Sequence, residues 1–173
     1  MRPDDLAVVP LDERHRRADF TCGVESLDRY LHAQAGQDMR RRANAVFVLA
    51  AKAMPDTVLG FYTLCATALS PEDVPEAARK HIPRYPLVSA TLIGRLAVAA
   101  DRQGQRLGAI LLADALQRAL RSAETVGSSM IVVDALDEGA AAFYAAFGFV
   151  KLPDSLRLVL PMRSVERLLA TSR

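Results

Sequence analysis

The 173-residue sequence contains no tryptophan, only two cysteines and three histidines, and few aromatic residues. Each scarcity excludes something. Cys22 and Cys65 are too few and too far apart for a disulfide framework or a zinc cluster, so both are expected to be reduced packing thiols. His15, His32 and His81 show no ligand spacing with one another or with acids, so no metal site is expected. Apolar runs are broken by Gly, Arg or Asp well short of the roughly 18 residues that a membrane span requires. Met1-Arg2-Pro3-Asp4-Asp5 lacks the basic start and apolar core of a signal peptide, which points to a cytoplasmic protein. Excess charge is scarce too, with 22 basic against 20 acidic residues, so the chain is no general polycation. What remains is a 51% hydrophobic sequence of single-domain size, long enough to bury roughly 70% of its unfolded surface. We expect residues 1–173 to form one domain.

The basic residues are clustered. Arg14-His15-Arg16-Arg17, Arg40-Arg41-Arg42 and Arg79-Lys80-His81 with Arg84 form three knots, each a solvated face unless the fold gathers them against phosphate. Alternation at Leu6, Val8 and Val9 predicts a first strand, and helical spacing runs through Leu27, Tyr30, Leu31 and Ala35. Residues 45–49 and 58–64 read as a hairpin turning at Pro55-Asp56. From Ser70 to Val88, four prolines predict a stiffened excursion with at most a short helix. A strand over 92–98, a loop over 101–108 and a helix over 107–120 follow, then a strand over 129–133 and a helix that Asp137 caps and Gly148 ends. Two closing strands and a short terminal helix complete an α/β (α+β) chain.

Arg102-Gln103-Gly104-Gln105-Arg106-Leu107-Gly108-Ala109 joins a strand to a helix. There, successive main-chain N–H groups can converge at the positive helix end, a geometry suited to pyrophosphate. No Gly-Lys-Ser/Thr follows and GxGxxG is absent, so neither a nucleoside triphosphate nor a dinucleotide is indicated. By spacing alone this is equally a glycine-containing turn before a core helix. Arg95 interrupts an apolar strand, where a charge needs a partner, so it is either a paired structural arginine or a contact to substrate or a partner subunit. Arg84, held between Pro83 and Tyr85-Pro86, is stiffly presented and is either a surface arginine or a phosphate contact. Arg40, Arg41 and Arg42 are the leading nucleic-acid backbone patch on charge alone.

The loop, followed by Val133-Asp134-Ala135 and by Phe143-Tyr144-Ala145-Ala146-Phe147-Gly148-Phe149, resembles the GNAT N-acetyltransferase superfamily and its (Gln/Arg)-x-x-Gly-x-(Gly/Ala) signature. A narrower likeness rests on five further segments: 20–23, Leu27-Asp28-Arg29-Tyr30-Leu31, Leu59-Gly60-Phe61-Tyr62-Thr63-Leu64, Ile82-Pro83-Arg84-Tyr85-Pro86 and Gly94-Arg95-Leu96-Ala97-Val98. In that order they are similar to TacT-type GNAT toxins of bacterial toxin–antitoxin pairs.

The resemblance implies a single GNAT domain whose mixed, mainly antiparallel sheet has about six to seven strands. Acetyl-CoA would lie in the splay between the strands at 91–99 and 128–134. It implies transfer of acetyl to the α-amino group of aminoacyl-tRNA, blocking translation, with a ribbon-helix-helix antitoxin and a homodimeric toxin. Leu96, Ala97 and Val98 would line the pantetheine arm, with Gln103, Gly104, Gln105, Arg106, Leu107, Gly108 and Ala109 on the phosphates and Phe143 beside the coenzyme. Tyr144 would protonate the leaving thiolate; without the family, it is a core aromatic on an Ala-rich helix. Arg106 occupies the usual position of the second glycine. A side chain is tolerable there while φ stays negative, and it can add a charge-assisted phosphate contact. Asp134 is the nearest candidate base, with a structural role as its alternative. An α-amine near pKa 7.7–8.0 needs no strong base, whereas lysine near 10.4 does. The competing functions are acetylation of a protein or small amine, and a non-catalytic CoA-binding module.

Overall fold

The computed structural model describes residues 1–80, 82 and 84–172. Seven strands form one sheet in the order β1-β2-β3-β4-β5-β7-β6. They are β1 (Leu6–Pro10), β2 (Ala45–Ala51), β3 (Gly60–Leu69), β4 (Val88–Val98), β5 (Met130–Asp134), β6 (Val150–Lys151) and β7 (Arg157–Pro161). β1 with β2, β2 with β3, β5 with β7 and β6 with β7 pair antiparallel, whereas β4 and β5 pair in parallel from Ala90↔Met130 to Ile93↔Val133. This is the mixed, mostly antiparallel architecture that the sequence predicts. The helices are α1 (Glu25–Arg29), α2 (Ala35–Arg40), α3 (Glu76–Arg79), α4 (Leu107–Thr125), α5 (Glu138–Ala145) and α6 (Met162–Thr171). A π-type stretch, Tyr30–Gln34, joins α1 to α2. No helix among the described residues is long and apolar enough to cross a membrane.

Two compact units emerge. The first comprises Met1–Cys65 and Arg95–Ala115. Its core is Leu11, Phe20, Tyr30, Leu31, Val46, Val48, Phe61 and Ala97, with Phe20 and Phe61 meeting edge to face. The expected β2–β3 hairpin forms, with Val46 opposite Thr63 and Val48 opposite Phe61, a register that puts Val46, Val48 and Phe61 into this core. The first residues of α4 keep Leu107, Leu111, Leu112 and Ala115 buried, the apolar stripe read from the sequence.

The second unit comprises Ala66–Gly94 and Leu116–Arg173. It packs Leu69, Val74, Val88, Ala90, Met130, Val132 and Val159 into a separate core. Among its described residues, the proline-rich excursion yields only a 3-10 turn, Pro71–Asp73, and the four-residue α3. His81 and Pro83, within the third basic knot and the Ile82–Pro86 segment, lie outside the described residues.

Candidate active site

The loop after β4 is held by its surroundings in the first unit. Ala99 N donates to Leu59 O and Ala100 N to Thr21 O, each at 2.8 Å. The Gln103 side-chain amide donates to two carbonyls, Cys22 O at 3.0 Å and Val98 O at 3.2 Å, tying the loop to the end of β4. Gly60 lets β3 approach the same strand end: a Cβ there would sit 2.8 Å from both Ala97 O and Leu111 Cδ1. Gly104 turns at φ +79° and Arg106 at φ +62°, and α4 starts at Leu107.

The condition of a negative φ, under which a side chain at Arg106 is tolerable, is not met. Arg106 keeps the left-handed conformation that its glycine counterpart would supply, at a cost of order 1–3 kcal/mol. The reversal is needed because Leu107 must point into the core, where it is 3% exposed. The first hydrogen bond of α4 runs from Ile110 N to Arg106 O at 3.4 Å. Helix geometry thus leaves the N–H groups of Leu107, Gly108 and Ala109 without intrahelical acceptors. Gly104, Gln105 and Arg106 are exposed, and the space beside Gly104 is open. These residues fit a pyrophosphate held mainly by backbone donors.

Tyr144 belongs to the second unit, on the last turn of α5. Asp137 starts that helix as expected, its Oδ1 accepting from Ala140 N at 2.8 Å, and Gly148 turns the chain at φ +95°. The Tyr144 ring is 6% exposed and meets Phe143 and Phe149 with centroids 5.2 and 5.6 Å away. Its hydroxyl has no hydrogen bond to a described residue. Burial pushes its pKa well above the ordinary tyrosine range. The phenol therefore remains protonated through the physiological range and offers an uncommitted donor.

Asp134 takes its structural alternative. Arg157 Nε and Nη2 donate to its two carboxylate oxygens at 2.7 and 3.0 Å, a bidentate pair that engages both oxygens. Cys22 also follows its packing alternative, with burial raising its thiol to about 11. Arg95 is partnered by a ring, its guanidinium lying 3.6 Å from the Tyr30 centroid. Tyr30 in turn donates to Asp38, which also accepts from Asn44. Arg84 is exposed and lines a surface hollow with Arg79, Lys80 and Tyr85. Arg40, Arg41 and Arg42 are exposed where α2 ends, Arg42 at φ +58°. Sequence reasoning missed that Arg17 joins Arg40 over Gly36. A glycine inside a helical run was the available signal.

With this geometry established, comparison with known proteins gives a consistent result. Residues 42–151 match the model of the acetyltransferase (GNAT) domain. A tRNA-acetylating toxin of Mycobacterium tuberculosis (strain ATCC 25618 / H37Rv) is 35% identical over 151 residues, 87% of this chain and 88% of that protein. The structure of AtaT complexed with acetyl-methionyl-tRNAfMet is 30% identical with a TM-score of 0.86, covering 95% of this chain and 99% of that one. A tyrosine-to-phenylalanine AtaT mutant, bound to the C-terminus of the antitoxin AtaR and acetyl-CoA, is 28% identical with a TM-score of 0.81, covering 96% and 99%. The chain belongs to the GNAT acetyltransferases, within the family of tRNA-acetylating toxins.

Proposed function

We propose that the protein transfers acetyl from acetyl-CoA to the α-amino group of aminoacyl-tRNA, and so blocks translation as the toxin of a toxin–antitoxin pair. The likeness to AtaT carrying acetyl-methionyl-tRNA, extending over nearly the whole of both chains, carries this reading. Residues 1–173 act as one catalytic domain in a cytoplasmic homodimer, neutralised by a ribbon-helix-helix antitoxin. The family match crosses residues of both compact units, which supports treating them as one enzyme.

Acetyl-CoA supplies a thioester, and the splay between the strands at 91–99 and 128–134 receives it. The likeness to the structure of an AtaT mutant bound to acetyl-CoA supports acetyl-CoA as the donor. Main-chain groups of Leu96, Ala97 and Val98 run beside the pantetheine arm and give hydrogen bonds to the carbonyl oxygen as charge develops on it. Gln103 anchors the loop, while the amides from Gly104 to Ala109 hold the phosphates and Phe143 packs beside the coenzyme. The neutral α-amine attacks the carbonyl carbon. As the carbon–sulfur bond breaks, the sulfur takes the Tyr144 phenol proton, and the proton lost by the amine leaves to solvent. Because Asp134 is engaged by Arg157, a base-free route favours an α-amine over lysine. Arg40, Arg41, Arg42, Arg84 and Arg95 contribute contacts to tRNA.

Transfer of labelled acetyl to a bulk charged tRNA pool, beside the same pool deacylated, tests this function. Label is expected only on the charged pool. Equal labelling of both pools, or label only on an added protein or small amine, would overturn it.

A further inference from the structure

Most arginines in the first 40 residues are matched by a nearby acid. Arg14 pairs with Asp12, Arg16 with Asp19 and Asp56, and Arg29 with Glu25. Arg17 and Arg40 differ. Both reach over Gly36: a Cβ there would lie 3.0 and 3.6 Å from Arg17 Nη1 and Nη2, and 3.4 Å from Arg40 Nη1. A guanidinium nitrogen of each thus comes within 3.4 Å of one point on the helix surface, and among the described residues neither side chain forms an ion pair with a carboxylate. A glycine within a helical run is less favourable than alanine. Here it supplies the room in which the Arg17 head lies.

Two like charges held together without a counter-ion repel, and an anion between them relieves that repulsion. Guanidinium forks match phosphate oxygens in shape as well as charge. Arg41 and Arg42, exposed and next in sequence, extend the positive surface beyond one ion, which fits a polyanionic backbone better than a free phosphate.

We propose that Arg17 and Arg40, seated over Gly36, grip a backbone phosphate of the nucleic-acid substrate. The proposal rests on the tRNA reading and adds where the RNA backbone is held. Phosphate contacts position a nucleic acid without reading its sequence, so the pair acts equally on every charged tRNA.

The test measures KM for charged tRNA across a salt series. It compares wild type, Arg17→Gln with Arg40→Gln, Gly36→Ala, and a charge-matched control, Arg2→Gln with Arg14→Gln. The glutamine pair is expected to raise KM roughly 10- to 100-fold, leave kcat and acetyl-CoA affinity unchanged, and flatten the slope of log K against log salt by about one to two. Gly36→Ala keeps every charge and brings its methyl group to 3.0 Å from Arg17 Nη1, which the flexible guanidinium relieves by a small shift; KM should rise by no more than about threefold, with no loss of thermal stability. The control should stay within about twofold of wild type. A glutamine pair indistinguishable from the control, while wild type acetylates charged tRNA, would overturn the phosphate grip alone. Wild type that acetylates only another amine would overturn the underlying tRNA reading.

Discussion

The loop from Arg102 to Gly108 and the last turn of α5, both assigned to one reaction in the proposed mechanism, differ in what they present. The loop is exposed, takes two left-handed turns, and offers main-chain N–H groups. The α5 turn is regular, with Ala142 and Ala145 exposed and Tyr144 buried, and it presents one phenol flanked by aromatic rings. A backbone site depends on the path of the chain more than on side-chain identity, which explains how Arg106 can stand where the family has glycine. A side-chain site has no such freedom: in the proposed mechanism, removing one oxygen from Tyr144 would remove the acid while leaving the shape.

The contrast is broken most sharply at Tyr144. Tyr144→Phe should lower acetyl transfer by about 10²–10⁴ while acetyl-CoA affinity, measured by calorimetry, stays the same. In wild type, kcat/KM should rise as the acceptor amine loses its proton near pH 7.7–8.0, then stay level to about pH 10. The sign follows from burial: a phenol with a raised pKa keeps its proton, so it produces no falling alkaline limb in that range. A fall beginning near pH 9 would remove Tyr144 as the acid.

At Gly104 the effect should be moderate. No atom lies within 4 Å of an added Cβ, so Gly104→Ala costs only the left-handed backbone preference, about 1 kcal/mol, or roughly 2–4 °C in Tm. Acetyl-CoA should bind a few-fold more weakly if the amides must hold that turn, and unchanged binding would place the phosphates elsewhere. The smallest effect is expected at Arg106. Arg106→Gly relieves strain in the folded chain but loosens the unfolded one, so stability should move by no more than about 1 kcal/mol. Acetyl-CoA affinity should remain within about threefold, whereas a tenfold loss would make the guanidinium itself a principal phosphate ligand.

Periodicity and turn residues determined where most strands and helices lie, because alternation and the 3.6-residue stripe are local properties of the chain. They also marked Asp137 as a cap and Gly148 as a left-handed stop, while the phosphate-binding reading of the loop before Leu107 rests on the GNAT resemblance. The recurring GNAT segments singled out Tyr144. Only the tertiary structure decided what depends on neighbours distant in sequence: the left-handed Arg106 that aims Leu107 inward, Asp134 claimed by Arg157, and Arg95 laid on the Tyr30 ring. It also brought Arg17 to Arg40 across Gly36. Local patterning selects elements, but charge partners, burial and the openness of a turn are set when those elements pack.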